Sequence, residues 1–423
     1  MSLDFIKVET NLRFESQMWN PYDGIGSKIN DIAQESVDIV YIRQVYQIVS
    51  MITASPRSYV LLIGITMAVL ALSSLIASSH LKNASAFDED GYIKFIVSKI
   101  NESNTNITES TGATAVPDSA KGPSIPTKGY LVEKLGDSLY SVTDGSYNTM
   151  FMVTDKGVVA IDAPPSLGQK YLKAIAEVTN KPVNYVIYSH AHIDHIGAAG
   201  IFPKNVTIIA QEETARELQN ARAVANNVTM VPPVPTITFT KNYNLTIGNQ
   251  TLKLDYYGSN HLPGNIFIYA PKQRVLMLVD IVFPGWVPFP YLAIAKNVTG
   301  FVKAHDIALD RYDFNKFVGG HLTRLGTRND VAVQKEFIDD LKNAAMKANQ
   351  EVIFSKIAQQ VGHFDNPWFI YSKYIDAVNE KCTQLLLPKW ENRLGGAGVF
   401  IPTHCFSMSE AERVDPTVQA LTQ

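Results

Sequence analysis

The 423-residue chain has only two cysteines, which excludes a disulfide-rich scaffold and a four-cysteine zinc site. It has no excess of either charge: 37 Lys and Arg stand against 40 Asp and Glu, a formal net charge of -3. A dedicated nucleic-acid binder carries a basic excess, so no nucleic-acid partner is expected. Charged residues make up 18% and hydrophobic ones 46%, which excludes a wholly disordered chain and supplies one large core or two ordinary ones. No internal repeat is present.

One stretch lacks charge altogether. Tyr59 to Ala77 reads YVLLIGITMAVLALSSLIA, about the length that crosses a bilayer core. Residues 59–78 are therefore expected to form a single transmembrane helix. The A-x-A pattern in Asn83-Ala84-Ser85-Ala86 offers the alternative of a cleaved signal, with secretion after cleavage near Ala86. The long segment 1–58 favours an anchor, and no role is assigned to that segment. Eight N-x-S/T sequons (Asn83, Asn101, Asn106, Asn205, Asn227, Asn244, Asn249 and Asn297) all follow the apolar run. They place the bulk of the chain on the extracytoplasmic side. Residues 79–128, crowded with Asn, Ser, Thr, Gly and Pro, read as a flexible tether.

Past the tether the pattern becomes that of a folded domain, expected over 129–350. Leu131 to Val142, Thr149 to Val153 and Val158 to Ile161 read as strands. Ser166 to Asn180 reads as a helix with Tyr171, Leu172, Ile175 and Val178 on one face, and Val183 to Tyr188 as the next strand. A meander giving way to a strand–helix–strand unit argues for a layered α/β (α+β) domain. Residues 351–423 read as a helical extension. Cys382 and Cys405 lie in it, either as two buried thiols or as a disulfide worth roughly 3 kcal/mol.

Directly after that strand comes Ser189-His190-Ala191-His192-Ile193-Asp194-His195. Two histidines two apart on an extended chain end point the same way and can share one metal. Asp194 and His195 present a carboxylate and an imidazole to a neighbouring position once the chain turns. His261, Asp280 and His321 each follow an apolar strand at a strand-to-loop junction, where α/β folds gather their sites. All-nitrogen-and-oxygen ligation suits zinc, with manganese or iron as other choices. Two such cations sit ~3.5–4 Å apart and lower the pKa of a bridging water toward ~7. Hydrolysis then needs no serine or cysteine nucleophile. The aromatic run Trp286-Val-Pro-Phe-Pro-Tyr291 offers an apolar substrate wall, or else packs on its own domain or the membrane.

This ordered set, H-x-H-x-D-H followed by His, Asp and His, resembles the metallo-β-lactamase superfamily over about Gly129 to Gln350. The resemblance implies an αββα four-layer sandwich with a dinuclear site. It implies two zinc ions per chain: His190, His192 and His261 on the first, Asp194, His195 and His321 on the second, and Asp280 between them. Asp194 would be the catalytic acid–base, and Asp162 a supporting residue rather than a ligand. The chain departs from some relatives: it has no cysteine at Asp280 and no glutamate at His192. The expectation is a membrane-anchored dinuclear hydrolase whose bridging hydroxide attacks a small ester, thioester, lactone or lactam. A β-lactamase or lactonase proper and a non-catalytic surface binding protein on the same fold are the alternatives.

Overall fold

The computed structural model describes residues 115–421 apart from 229 and 230. The expected transmembrane helix at 59–78 lies outside the described residues, as do the segment before it and most of the expected tether. No helix among the described residues is long and apolar enough to cross a membrane.

Two sheets form the centre. The first runs β1 (Leu131–Gly136), β2 (Leu139–Thr143), β3 (Asn148–Thr154), β4 (Gly157–Ile161), β5 (Val183–Ile187), β6 (Thr207–Gln211), β7 (Ile237–Phe239), side by side in that order. β1 to β4 are antiparallel neighbours, as short turns dictate. From β4 onward the pairs are parallel, which requires crossovers. Helix α1 (Gln169–Val178) makes the first of these, α2 (Ile193–Ile196) lies in the second, and α3 (Glu212–Val224) follows β6. The second sheet holds β8 (Asn242–Ile247), β9 (Gln250–Asp255), β10 (Phe267–Ala270), β11 (Val275–Met277) and β12 (Lys316–Val318), with only β11 and β12 parallel. One expectation is corrected: the strand read over Leu131 to Val142 is two strands, reversed at Asp137-Ser138, where Ser138 takes φ 61°.

Strand side chains alternate between two cores, as a pleat with period two requires. Met150, Ile161, Ile187 and Ile209 meet Leu252, Leu254, Ile268 and Met277 between the sheets. Phe151, Ala160 and Val186 point the other way, onto Tyr171 and Ile175 of α1 and Leu218 of α3. On the far face of the second sheet, Phe267, Leu276 and Leu278 pack under further helices. These are α4 (Val298–Arg311), α5 (Arg328–Glu351), α6 (Phe354–Val361), α7 (Pro367–Trp390), α8 (Ala397–Val414) and α9 (Pro416–Gln419). The order is helices, sheet, sheet, helices. Phe337 and Leu341 of α5, Leu386 of α7 and Ile401 of α8 belong to the same apolar cluster as β10. The C-terminal helices are therefore built into the wall of the sandwich.

Local signals set the helix starts. Asn297 Oδ1 accepts the Gly300 N–H at 2.7 Å and opens α4. Thr327 and Asp330 form a reciprocal capping box that opens α5. Cys382 and Cys405 form a disulfide joining α7 to α8.

Candidate metal centre

The site lies where β4, β5, β11 and β12 run out and where the β9–β10 loop passes beside them. Asp162 organises the first corner. It sits wholly buried at φ 52°, its N–H donating to the Ile187 carbonyl at 2.8 Å. Its Oδ1 accepts the Ser189 N–H at 2.7 Å, and the next residue, Ala163, donates to the His195 carbonyl at 2.7 Å. Burial pushes the Asp162 carboxyl up to about 6, against the pull of His195 and the Ser189 N–H. This residue thus fastens the end of β4 to both ends of the His190–His195 loop.

The other three ligand candidates are held as firmly. Asn260 Oδ1 accepts the His261 N–H at 2.6 Å and an Asn265 Nδ2–H at 3.0 Å. Asn265 Nδ2 also donates to the Val279 carbonyl at 3.0 Å, so the His261 loop is tied to the residue before Asp280. Asn148 Nδ2 donates to the His321 carbonyl at 2.8 Å, and its backbone N–H to Gly320 at 2.9 Å. Position 320 must be glycine: a Cβ there would lie 2.8 Å from His195 Cε1 and 2.9 Å from Asp280 Oδ1.

The structure brings all seven expected residues together, in two groups. His190, His192, His261 and Asp280 form one and Asp194, His195 and His321 the other, the ligand atoms of each lying within 4.8 Å of one another. Asp280 touches both. Its Oδ2 is 3.3 Å from His261 Nε2, 3.5 Å from His190 Nε2 and 3.2 Å from His195 Nε2, and its Oδ1 is 3.0 Å from His321 Nε2. His261 Nε2 and His192 Nδ1 are 2.9 Å apart, and His195 Nε2 and His321 Nε2 3.1 Å apart.

Charge follows burial. Burial lowers His190 and His192, and lowers His261 to about 4, so the first group presents neutral imidazoles. Burial also acts against His195, but Asp280, Asp194 and Asp162 outweigh it and raise that ring to about 9. For Asp280, burial pushes the carboxyl up and is outweighed by His195, His321 and His261, which hold it well below the usual range.

Above the two groups is a cavity of about 680 Å³. Its lining includes Ser146, Tyr147, Ile193, Asp194, Phe289, Pro290, Ala293, Ile294 and Leu322. The aromatic run is therefore divided: Phe289 faces the cavity, while Trp286 packs inward with its Nε1 donating to the Ala120 carbonyl at 2.9 Å. Tyr291 to Ile294 form a left-handed turn, with φ of 58°, 56°, 53° and 51° and no glycine. Each such residue is disfavoured by about 1–2 kcal/mol, so neighbours must enforce the turn.

Two residues at this site escape a reading of the sequence. Tyr147 lies between β2 and β3 and belongs to no motif; its hydroxyl donates to Asp194 Oδ2 at 3.3 Å, and its ring is 4.6 Å from that of His321. His404, in α8, hydrogen-bonds the cavity wall from behind, receiving the Leu292 N–H at 3.1 Å. Its one sequence signal is its place beside Cys405.

Residues 142–325 match the family model of the metallo-beta-lactamase superfamily. The chain is 28% identical over 238 residues to the 2,4-dinitroanisole O-demethylase subunit alpha of Nocardioides sp. (strain JS1661), covering 53% of this chain and 70% of that one. It is 27% identical over 158 residues to the metallo-beta-lactamase type 2 of Elizabethkingia meningoseptica, covering 34% of this chain and 59% of the relative. To a metallo-beta-lactamase of Chryseobacterium indologenes it is 30% identical over 135 residues, covering 31% and 52%.

Proposed function

Residues 142–325 belong to the metallo-β-lactamase superfamily, which makes the chain a metal-dependent enzyme of hydrolase type; from that premise we propose that it cleaves a small ester, thioester, lactone or lactam at a centre of two zinc ions. The observation that carries this reading is the Asp280 carboxylate, set between two groups of histidines. The residues suit divalent cations. His190 Nε2 is wholly buried with no hydrogen-bond partner among the described residues. Two pairs of ring nitrogens lie 2.9 and 3.1 Å apart, close enough for the members of each pair to ligate one cation. Nitrogen and oxygen donors together favour zinc.

His190, His192 and His261 would hold one cation, Asp194, His195 and His321 the other, and Asp280 both. Bound there, the pair activates water near neutral pH and polarises the oxygen of the scissile group. The chain's own residues do the rest. Ser189 Oγ, 3.0 Å from His190 Nδ1, would accept a hydrogen bond from the Nδ1–H and leave Nε2 free to ligate. Asp194, at the cavity, would orient the attacking water, take its proton on the carboxylate and pass that proton to the leaving group. Tyr147 steadies that carboxylate. Phe289, Ile294 and Leu322 shield the reacting atoms from bulk water.

The test is a screen of the full chain against ester, thioester, lactone and lactam substrates, with an aryl methyl ether added because of the first relative's name. Turnover of one class that is lost on chelation and in His190→Ala/His192→Ala supports the reading. Turnover that survives both removes it.

We also propose that this domain works outside the cytoplasm, anchored by the 59–77 run. Two features support it: the Cys382–Cys405 disulfide, a bond that persists in oxidising compartments, and the exposed sequon asparagines Asn205, Asn244 and Asn249. A mobility shift on deglycosylation agrees with it; an unshifted chain that protease reaches only after lysis contradicts it.

A further inference from the structure

The cavity wall is held from outside the residues matched by the family. Val287 N–H donates to the Gly395 carbonyl at 3.0 Å, and Gly395 N–H returns to Gly285 at 2.9 Å. Tyr291 N–H donates to Thr403 Oγ1 at 3.1 Å. His404 closes the set: its Nδ1 accepts the Leu292 N–H at 3.1 Å, and its Nε2 lies 3.0 Å from the Pro288 carbonyl. Because Nδ1 accepts, Nε2 carries the ring proton and donates it to Pro288. The imidazole is fully buried, so both bonds lie in a dry interior where losing either leaves an unpaired polar group.

These bonds fall on a strained segment. A left-handed run of four residues without glycine persists only where its surroundings over-determine it. His404 satisfies an N–H inside that run and the carbonyl just before it. The other side of the run is what a substrate meets. Phe289, Pro290, Ala293 and Ile294 line the cavity, as does Ile193. Ile193 and Ile294, 60% and 57% exposed, both line the cavity and offer it apolar surface that a ligand can bury. Among the described residues the cavity lining includes no lysine or arginine, and Lys296, just past the turn, is exposed and not part of it. An anionic arm on a substrate finds no partner on this wall; an aryl or alkyl arm finds continuous apolar surface.

We propose that His404 is a positioning residue for this centre: it locks the Phe289–Ile294 wall, and the locked wall selects uncharged substrates that carry an aryl or alkyl arm. The substrate class rests on the hydrolytic reading above, so the test reads binding and turnover separately.

On the full chain, hexanophenone, an uncharged ketone with nothing to hydrolyse, is titrated beside an analogue bearing a sulfonate at the end of the arm. The uncharged ketone is expected to bind at least about tenfold more tightly, the effect of burying some two methylenes without a charged end. His404→Ala is expected to shrink that preference to about threefold or less. His404→Gln, which retains a donor and an acceptor, should recover part of it. With 4-nitrophenyl acetate, butyrate and hexanoate, KM should fall as the arm lengthens, and His404→Ala should flatten that series mainly through KM. Should His404→Ala fail to fold, Ile294→Lys on the cavity surface takes its place and should reverse the preference, because it gives the sulfonate a cationic partner. Selective ketone binding without ester turnover leaves this inference standing and removes the ester from the hydrolytic reading. Ester turnover with no preference for the uncharged arm, or a preference that both variants leave intact, overturns the inference.

Discussion

The Tyr147 hydroxyl donates a hydrogen bond to Asp194 Oδ2 across 3.3 Å, joining a residue of the β2–β3 turn to the carboxylate assigned the proton transfer. Hydrogen bonds to a charged partner contribute about 1.5–3 kcal/mol. Tyr147→Phe removes this one with little change of volume, and kcat is expected to fall by about tenfold or more while KM and metal content hold. The check is steady-state kinetics beside metal analysis; an unchanged kcat would detach Tyr147 from the chemistry.

Much of this site was legible in the sequence because its ligand candidates sit at fixed places in a fold. His190 to His195 form a dense local pattern, and His261, Asp280 and His321 each follow an apolar strand. The meander and the crossover helix α1 were legible for similar reasons: period and breakers act over a few residues. What acts over long distances was not. Tyr147 reaches the site only because β3 runs beside it and Asn148 bonds to Gly320. His404 reaches it from α8, more than a hundred residues beyond Leu292, through tertiary packing. The left-handed turn was hidden because Tyr291 to Ile294 contain no glycine to announce it. The break at Asp137-Ser138 was missed because apolar residues continue on both sides of it.

Acid should weaken the fold through His404. Burial lowers this imidazole to about 3 from an ordinary value of 6.5, so it is neutral in the folded protein and takes up a proton on unfolding. The unfolded chain then binds more protons between those values, and stability falls as the pH drops below 6.5. The loss is about 1.4 kcal/mol per pH unit until the folded value is reached. In denaturant melts of metal-free protein at pH 7.5, 6 and 5, His404→Gln should reduce the acid slope by about that amount, the remainder coming from His190, His192, His261 and His305, which burial also lowers. An equal slope in both proteins would assign the acid loss to other groups, His305 first, which burial lowers to about 4.

Reduction should reach the same wall. The Cys382–Cys405 bond spans 23 residues and joins α7 to the helix that carries His404. Closing a loop of this size contributes about 3 kcal/mol. For a domain of this size, reductant or Cys382→Ala/Cys405→Ala should lower the melting temperature by about 5–10 °C. An unchanged melting temperature would mean that packing alone holds α8 in place.

Removing metal should unload the centre without unfolding the sandwich, whose cores lie between and outside the sheets. Chelation is expected to lower the melting temperature, by an amount that grows with the logarithm of the free cation present before it, as binding to the native state requires. Far-ultraviolet circular dichroism should stay the same. A collapse of secondary structure on chelation would make the centre a folding nucleus instead.

The most direct measurement is the metal content of the purified full chain by plasma mass spectrometry, beside His190→Ala/His192→Ala and Asp280→Asn. Two groups of imidazole and carboxylate ligands sharing Asp280 predict about two zinc ions per chain, with clear loss in both variants. A chain that folds and carries no stoichiometric metal, or variants that keep the full complement, would contradict the account at its centre.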